Sequence, residues 1–241
     1  MHLSYDEVMF KNKNALNCFS PPVMIATFII ESIFFVALLF TRKLNQNIKL
    51  ILGLIVCLAS FQLAEYGICE AWGFTPTTWA KIGFSAITFL PVLGLHLVYS
   101  IDKRKLSKLV PTGYALSAMW IVFFYFGSML KGAVCSGNYV IFAIPDAYEL
   151  PYYICYDAYM LIAIIVALMF ARRQRIVKVR VALQALAIGY LAFIIPSMLF
   201  SKYDNYGGAD SNLPSVMCGF ALLFAAVLTA KVAPLVAKSR V

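Results

Sequence analysis

Apolar and polar positions alternate along this chain on the scale of whole helices rather than single residues. Seven apolar stretches, near 22–41, 48–69, 80–101, 110–130, 151–171, 180–200 and 214–236, are separated by short polar segments. Each has the roughly 20 residues that a helix needs to cross about 30 Å of hydrocarbon. Consecutive single spans satisfy their backbone hydrogen bonds in a bilayer only as helices. The pattern therefore predicts an all-α membrane protein, a seven-transmembrane-helix bundle. Its expected organisation is an N-terminal segment over 1–21, the bundle over 22–236 and a short tail over 237–241, with no second domain. The opening stretch MHLSYDEVMFKNKNALNCFS places Asp6, Glu7, Lys11 and Lys13 ahead of any apolar run, unlike a cleavable signal peptide. The first span is thus expected to act as an uncleaved signal anchor. Pro91 in the third span and Pro196 in the sixth are a candidate pair for an internal repeat, although membrane helices often contain proline.

Composition agrees with the pattern. Hydrophobic residues make up 62% of the chain and charged ones 13%, with a mean hydropathy of +0.83. A soluble domain of this size has too little polar surface to cover so much apolar side chain. The net charge of +9 needs no nucleic acid to explain it, because basic loops beside anionic lipid carry such a charge. The lipid bilayer is the partner expected, with no nucleic acid. The segments TRKLNQNIK, DKRKLSK, RRQRIVKVR and AKSRV are basic, whereas CEAWGFTPTT, KGAVCSGNYVIFAIPDAYEL and SKYDNYGGADSNLP are acidic or neutral. The positive-inside rule then predicts the N-terminus outside and the C-terminus cytoplasmic, in a plasma membrane such as a bacterial inner membrane. Without a soluble output module, function is expected to need a protein partner or a homo-oligomer.

Candidate chemistry lies in the polar residues within the spans, since an ionisable group in hydrocarbon costs several kcal/mol. The stretch FQLAEYGICEAW sets Gln62, Glu65, Tyr66 and Cys69 on one helix face. Glu31 comes near the middle of span one, and either a protonated state or a pairing with Gln62 is expected for it. Span five adds Tyr153, Tyr156, Asp157 and Tyr159. Converging, these faces make an outward-open pocket, acidic below and aromatic at its rim, suited to a cation or a cationic small molecule. Against this stands an interfacial belt of Trp72, Trp79, Tyr152 and Tyr153, with Glu65 and Asp157 hydrated near the headgroups. Cys18, Cys69, Cys135, Cys155 and Cys218 map to the outer side, as disulfides, as a metal site or as unbonded small residues, while Cys57 lies deeper.

His96, Gln184 and Lys231 would continue a polar path towards the other face, as a small transporter or channel needs. Lys231 also stands where the seventh helix of microbial rhodopsins, which this stretch is similar to, holds its retinal Schiff base. The third span has no acid to act as counter-ion, however, and a lysine near the helix end is also able to snorkel to the headgroups. A metal held by Cys18, Glu65 and Cys69 is the other cofactor reading. With only two histidines, His2 and His96, a bis-histidine haem is not expected. No GxSxG, HExxH or glycine-rich phosphate loop is present, so the expectation is a protein that is not an enzyme.

The order Cys18-Phe19-Ser20, a long apolar helix, Gln62-x-x-Glu65 with Trp72 following and a proline-containing third span resembles an uncharacterised family of bacterial multi-pass proteins. The chain departs from that family in the polar extension before Cys18 and in having Tyr66 where a glycine is expected. The resemblance implies that Cys18, Gln62 and Glu65 belong together, and it brings no chemistry with it. The layout also resembles the seven-helix membrane input modules of sensor kinases. The function expected is a non-enzymatic sensor, or a subunit of a membrane complex, that holds a ligand or ion in the outer pocket.

Overall fold

The computed structural model describes residues 21–127, 129–130, 132–135, 140–204 and 213–237. Two prolines open α1 (Pro21–Thr41), where a missing N–H costs nothing. Only Met24, Thr27, Glu31 and Leu38 of this helix are buried, one narrow seam, while Ile33, Val36 and Phe40 face outwards. A four-residue turn reverses the chain into α2 (Gln46–Cys69), capped by Asn45, whose Oδ1 accepts the Ile48 N–H at 2.9 Å. The Asn45 amide also donates to the Val236 carbonyl at 3.1 Å, tying the α1–α2 turn to the end of the last helix.

The third span is two helices, α3 (Pro76–Thr88) and α4 (Leu90–Ile101), broken at Phe89. Pro91 has no N–H for the Ile87 carbonyl, and its ring crowds the preceding turn. α5 (Leu109–Phe126) leads to an antiparallel hairpin of β1 (Gly132–Cys135) and β2 (Val140–Ala143), with Gly132 opposite Ala143 and Cys135 opposite Val140. The rest is α6 (Asp146–Arg173), α7 (Val177–Asp204), α8 (Leu213–Val227), a π turn over Leu228–Val232 and α9 (Ala233–Val236).

α2 is the centre of the bundle, packed by α1, α3, α4 and α8, and the circuit closes through α4–α6, α6–α7 and α7–α8. α5 lies outside it, against α3 and α4. Small residues set the closest approaches. A Cβ on Gly67 would overlap the Trp79 ring, and one on Gly94 would overlap the Tyr190 hydroxyl. At the hairpin end, the Cys69–Cys135 disulfide fastens β1 to the last turn of α2. There β2 drives Phe142 into the bundle, 5.9 Å from Phe61 and 5.0 Å from Phe84 between ring centres. At the opposite, basic end, Asp102 accepts hydrogen bonds from Arg104 and from the Gln174 amide (2.5 Å), joining the ends of α4 and α6.

Among the described residues six spans are long and apolar enough to cross a membrane: Pro21–Thr41, Gln46–Cys69, Pro76–Ile101, Leu109–Phe126, Ala147–Arg173 and Val177–Ile195. A shorter apolar helix, Phe220–Val236, stands where a seventh was expected. The protein is thus a mostly helical, apolar bundle of the multi-pass membrane type. The hairpin is an addition to the helix-only reading. Strands are tolerated at this depth because protein, not lipid, surrounds Val140 and Phe142.

Candidate functional site

Three of the sequence-selected polar side chains are sealed inside the bundle. Glu31 is 0% exposed, Glu65 1% and Gln62 3%. Each occupies the packed face of its helix, because α2 is buried almost all round and Glu31 lies in the single seam of α1. They do not form an open mouth. The Cys69–Cys135 disulfide fastens the hairpin to the last turn of α2, and all three side chains are closed off from solvent rather than facing an open pocket.

The depths of these residues also separate them. Glu31 stands ten residues from the end of α1, and Gln62 and Glu65 stand sixteen and nineteen from the start of the antiparallel α2. At about 1.5 Å per residue, Glu31 is about 15 Å from the basic end, with Gln62 roughly 9 Å and Glu65 roughly 13 Å nearer the hairpin. Neither Glu31 oxygen has a hydrogen-bond partner among the described residues, so the Glu31–Gln62 pairing is not formed.

The tyrosines form a different site. A cavity of about 20 Å³ is lined by α3, α4, α5 and α6, including Thr88, Ser117, Trp120, Tyr152, Cys155 and Tyr156. None of Glu31, Gln62 and Glu65 lines it. The volume suits about one water molecule and no organic ligand. Tyr156 is buried, whereas Tyr66, Tyr153, Asp157 and the free thiol of Cys155 are half-buried. Tyr152, taken from sequence as an interfacial residue, is 1% exposed. Its hydroxyl is 2.9 Å from Thr88 Oγ1, which donates to the Phe84 carbonyl at 2.6 Å. The belt reading fits Trp72, which is exposed, and fails for Trp79, buried beneath it with its indole N–H on the Trp72 carbonyl at 2.6 Å.

Around the Pro91 break, hydroxyls from other helices take up backbone carbonyls. Ser117 donates to the Thr88 carbonyl and Tyr190 to the Leu90 carbonyl, both at 3.1 Å. The proline announced the break in the sequence. Which hydroxyls would answer it was not legible, because they come from positions 29 and 100 residues away.

The remaining candidates disperse. His96 Nδ1 is 3.0 Å from the Tyr114 hydroxyl, a pairing between α4 and α5. Gln184 and Lys231 are exposed on the outside of the bundle, so neither extends the buried carboxylates into a path across it. Lys231, expected either as a retinal Schiff-base lysine or as one that snorkels, is exposed on the helix surface. Cys69 is bonded to Cys135, which removes its thiolate from the Cys18–Glu65–Cys69 metal reading. Cys18 lies outside the described residues, as does the side chain of Cys218. Thr229 was not singled out from sequence. Its Oγ1 is buried with no hydrogen-bond partner among the described residues.

Comparison with known protein families, with curated proteins and with solved structures finds no match.

Proposed function

We propose that this chain is a seven-helix plasma-membrane protein, N-terminus outside and C-terminus cytoplasmic, that holds an ion on side chains inside its bundle. It works as a sensor or as a subunit of a larger membrane complex rather than as an enzyme. The observation that carries this reading is the burial of Glu31, Gln62 and Glu65 at 3% exposure or less within a helical bundle of membrane character. Buried ionisable groups are retained in hydrocarbon where they are used. An ion is favoured over an organic ligand because the carboxylates are enclosed and the tyrosine cavity has room for only about one water. Phe220–Val236 supplies apolar length for the seventh span, and the twelve Lys and Arg side chains at 42–49, 103–108 and 172–180 lie on turns and adjoining helix ends that the positive-inside rule puts in the cytoplasm. The grouping of Cys18, Gln62 and Glu65 implied by the resemblance to the Cys-Phe-Ser family belongs to the same proposal.

Two measurements test it. Single-cysteine variants at Lys43 and Glu149 should react with a membrane-impermeant maleimide only from the inside and only from the outside, respectively. Purified protein titrated with sodium, potassium, calcium and tetramethylammonium ions should show a saturable rise in unfolding temperature with at least one. The site assignment is removed if Glu31→Gln and Glu65→Gln both respond as the wild type does.

A further inference from the structure

The end of the last helix contains a second backbone irregularity. In the π turn, the Ala233 N–H bonds to the Leu228 carbonyl, one residue further back than in an α-helix. That takes away the usual donor of the Thr229 carbonyl. The next residue, Pro234, has no N–H to replace it. Thr229 therefore presents two oxygens, a carbonyl without its usual backbone donor and the buried Oγ1, which has no hydrogen-bond partner among the described residues.

The same region holds the orphaned carboxylate. α1 and α8 pack directly on each other. On α8, Phe224 and Val227 meet Gly189 of α7, and Phe224 also meets Tyr190. Thr229 lies on the opposite flank by helical spacing, away from α7, and the other helices packed on α8 are α1 and α2. The levels agree as well. The Asn45–Val236 hydrogen bond sets the end of α9 beside the α1–α2 turn. Thr229 is seven residues above Val236, about 10 Å, and Glu31 is about 15 Å above Thr41, a difference of about one helical turn.

We propose that Glu31 and Thr229 share one site for a sodium-sized monovalent cation at mid-depth between α1 and the π turn. The site deepens the ion-binding reading above and rests on it. Carboxylate, hydroxyl and carbonyl oxygens are hard donors suited to an alkali cation. Irregular helix turns expose such carbonyls at ion sites in membrane proteins. One positive charge neutralises the one carboxylate, whereas a divalent ion would leave an uncompensated charge in a low-dielectric interior. No direct hydrogen bond joins Glu31 to Thr229, and a shared cation satisfies both.

Full-length protein, purified in detergent, is unfolded by heat in sodium chloride and in choline chloride at equal ionic strength. Saturating sodium should raise the unfolding temperature by about 5 °C, the size expected for a ligand well above its dissociation constant. Glu31→Gln and Thr229→Val should each abolish the rise. Should Glu31→Gln not fold, Thr229→Val decides, because valine keeps the shape and removes only the hydroxyl. Equal temperatures in both salts for the wild type overturn the proposal in favour of a neutral carboxyl, and a full sodium response in Thr229→Val overturns it as well. A response lost in Glu65→Gln but kept in Glu31→Gln overturns this site while the broader reading stands. No response to any cation of the panel overturns both.

Discussion

Proline disturbs two helices of this bundle, and the surroundings treat the disturbances differently. At Pro91 the Thr88 and Leu90 carbonyls receive hydroxyls from Ser117 on α5 and Tyr190 on α7, and Tyr152 on α6 reaches Thr88 Oγ1. Three helices converge there, and the break is held as a fixed joint. At Pro234 the π turn leaves Thr229 with a buried hydroxyl that no described residue answers, close in level to a carboxylate in the same condition. A buried polar group without a partner costs about 1–3 kcal/mol, more when charged. The satisfied break is explained by architecture alone, and the unsatisfied one is where the proposed cation would sit.

Substitutions test that contrast, beginning with the largest effect. Gly94→Val should abolish folding, because any Cβ there overlaps the Tyr190 hydroxyl and separates α4 from α7. Size-exclusion chromatography should show aggregate in place of a monodisperse peak. Ser117→Ala should lower stability by about 1–2 kcal/mol, measured by denaturant titration in detergent, since it strands a buried carbonyl. A neutral result would mean that the Pro91 joint does not depend on its hydroxyls. Glu65→Ala and Gln62→Ala should abolish cellular function with little loss of folded protein. Full activity in either would make that face structural. Pro234→Ala should change stability least, within about 1 kcal/mol, yet remove the sodium response. The restored N–H lets the turn revert to α geometry and returns a donor to the Thr229 carbonyl. An unchanged response would separate the π turn from the site.

Much of the fold was legible in the residues. The hydropathy of the six spans, the proline at the third and the disulfide expected among the cysteines, found as Cys69–Cys135, correspond to described features. Boundaries moved where polar residues still helped a helix. Thr75 and Pro76 begin α3 four residues earlier than the apolar run suggests, by capping and by a preset φ. The hairpin escaped notice because GAVC and VIFA are too short to signal strands until they pair across a turn. Of the candidate residues, Glu31, Gln62 and Glu65 are interior, whereas Gln184 and Lys231 face outwards. Depth along a span is read from position. The side that a residue faces depends on which neighbours the helix has.

The sequence by itself determined the solvent of this protein, because transfer of about 20 apolar residues into hydrocarbon is a sum along the chain and needs no partner. It also determined which ionisable groups enter that solvent. Only the tertiary structure decided which of them are answered. Hydrogen bonds act over about 3 Å, and the Ser117, Tyr152 and Tyr190 hydroxyls that come within that reach of Thr88 and Leu90 belong to segments far away in the chain. Glu31 and the Thr229 hydroxyl find no such partner among the described residues. FQLAEYGICEAW was conspicuous from the start as polar residues in an apolar run. The orphaned Thr229 was not, since a threonine in a membrane helix is ordinary until the turn around it widens.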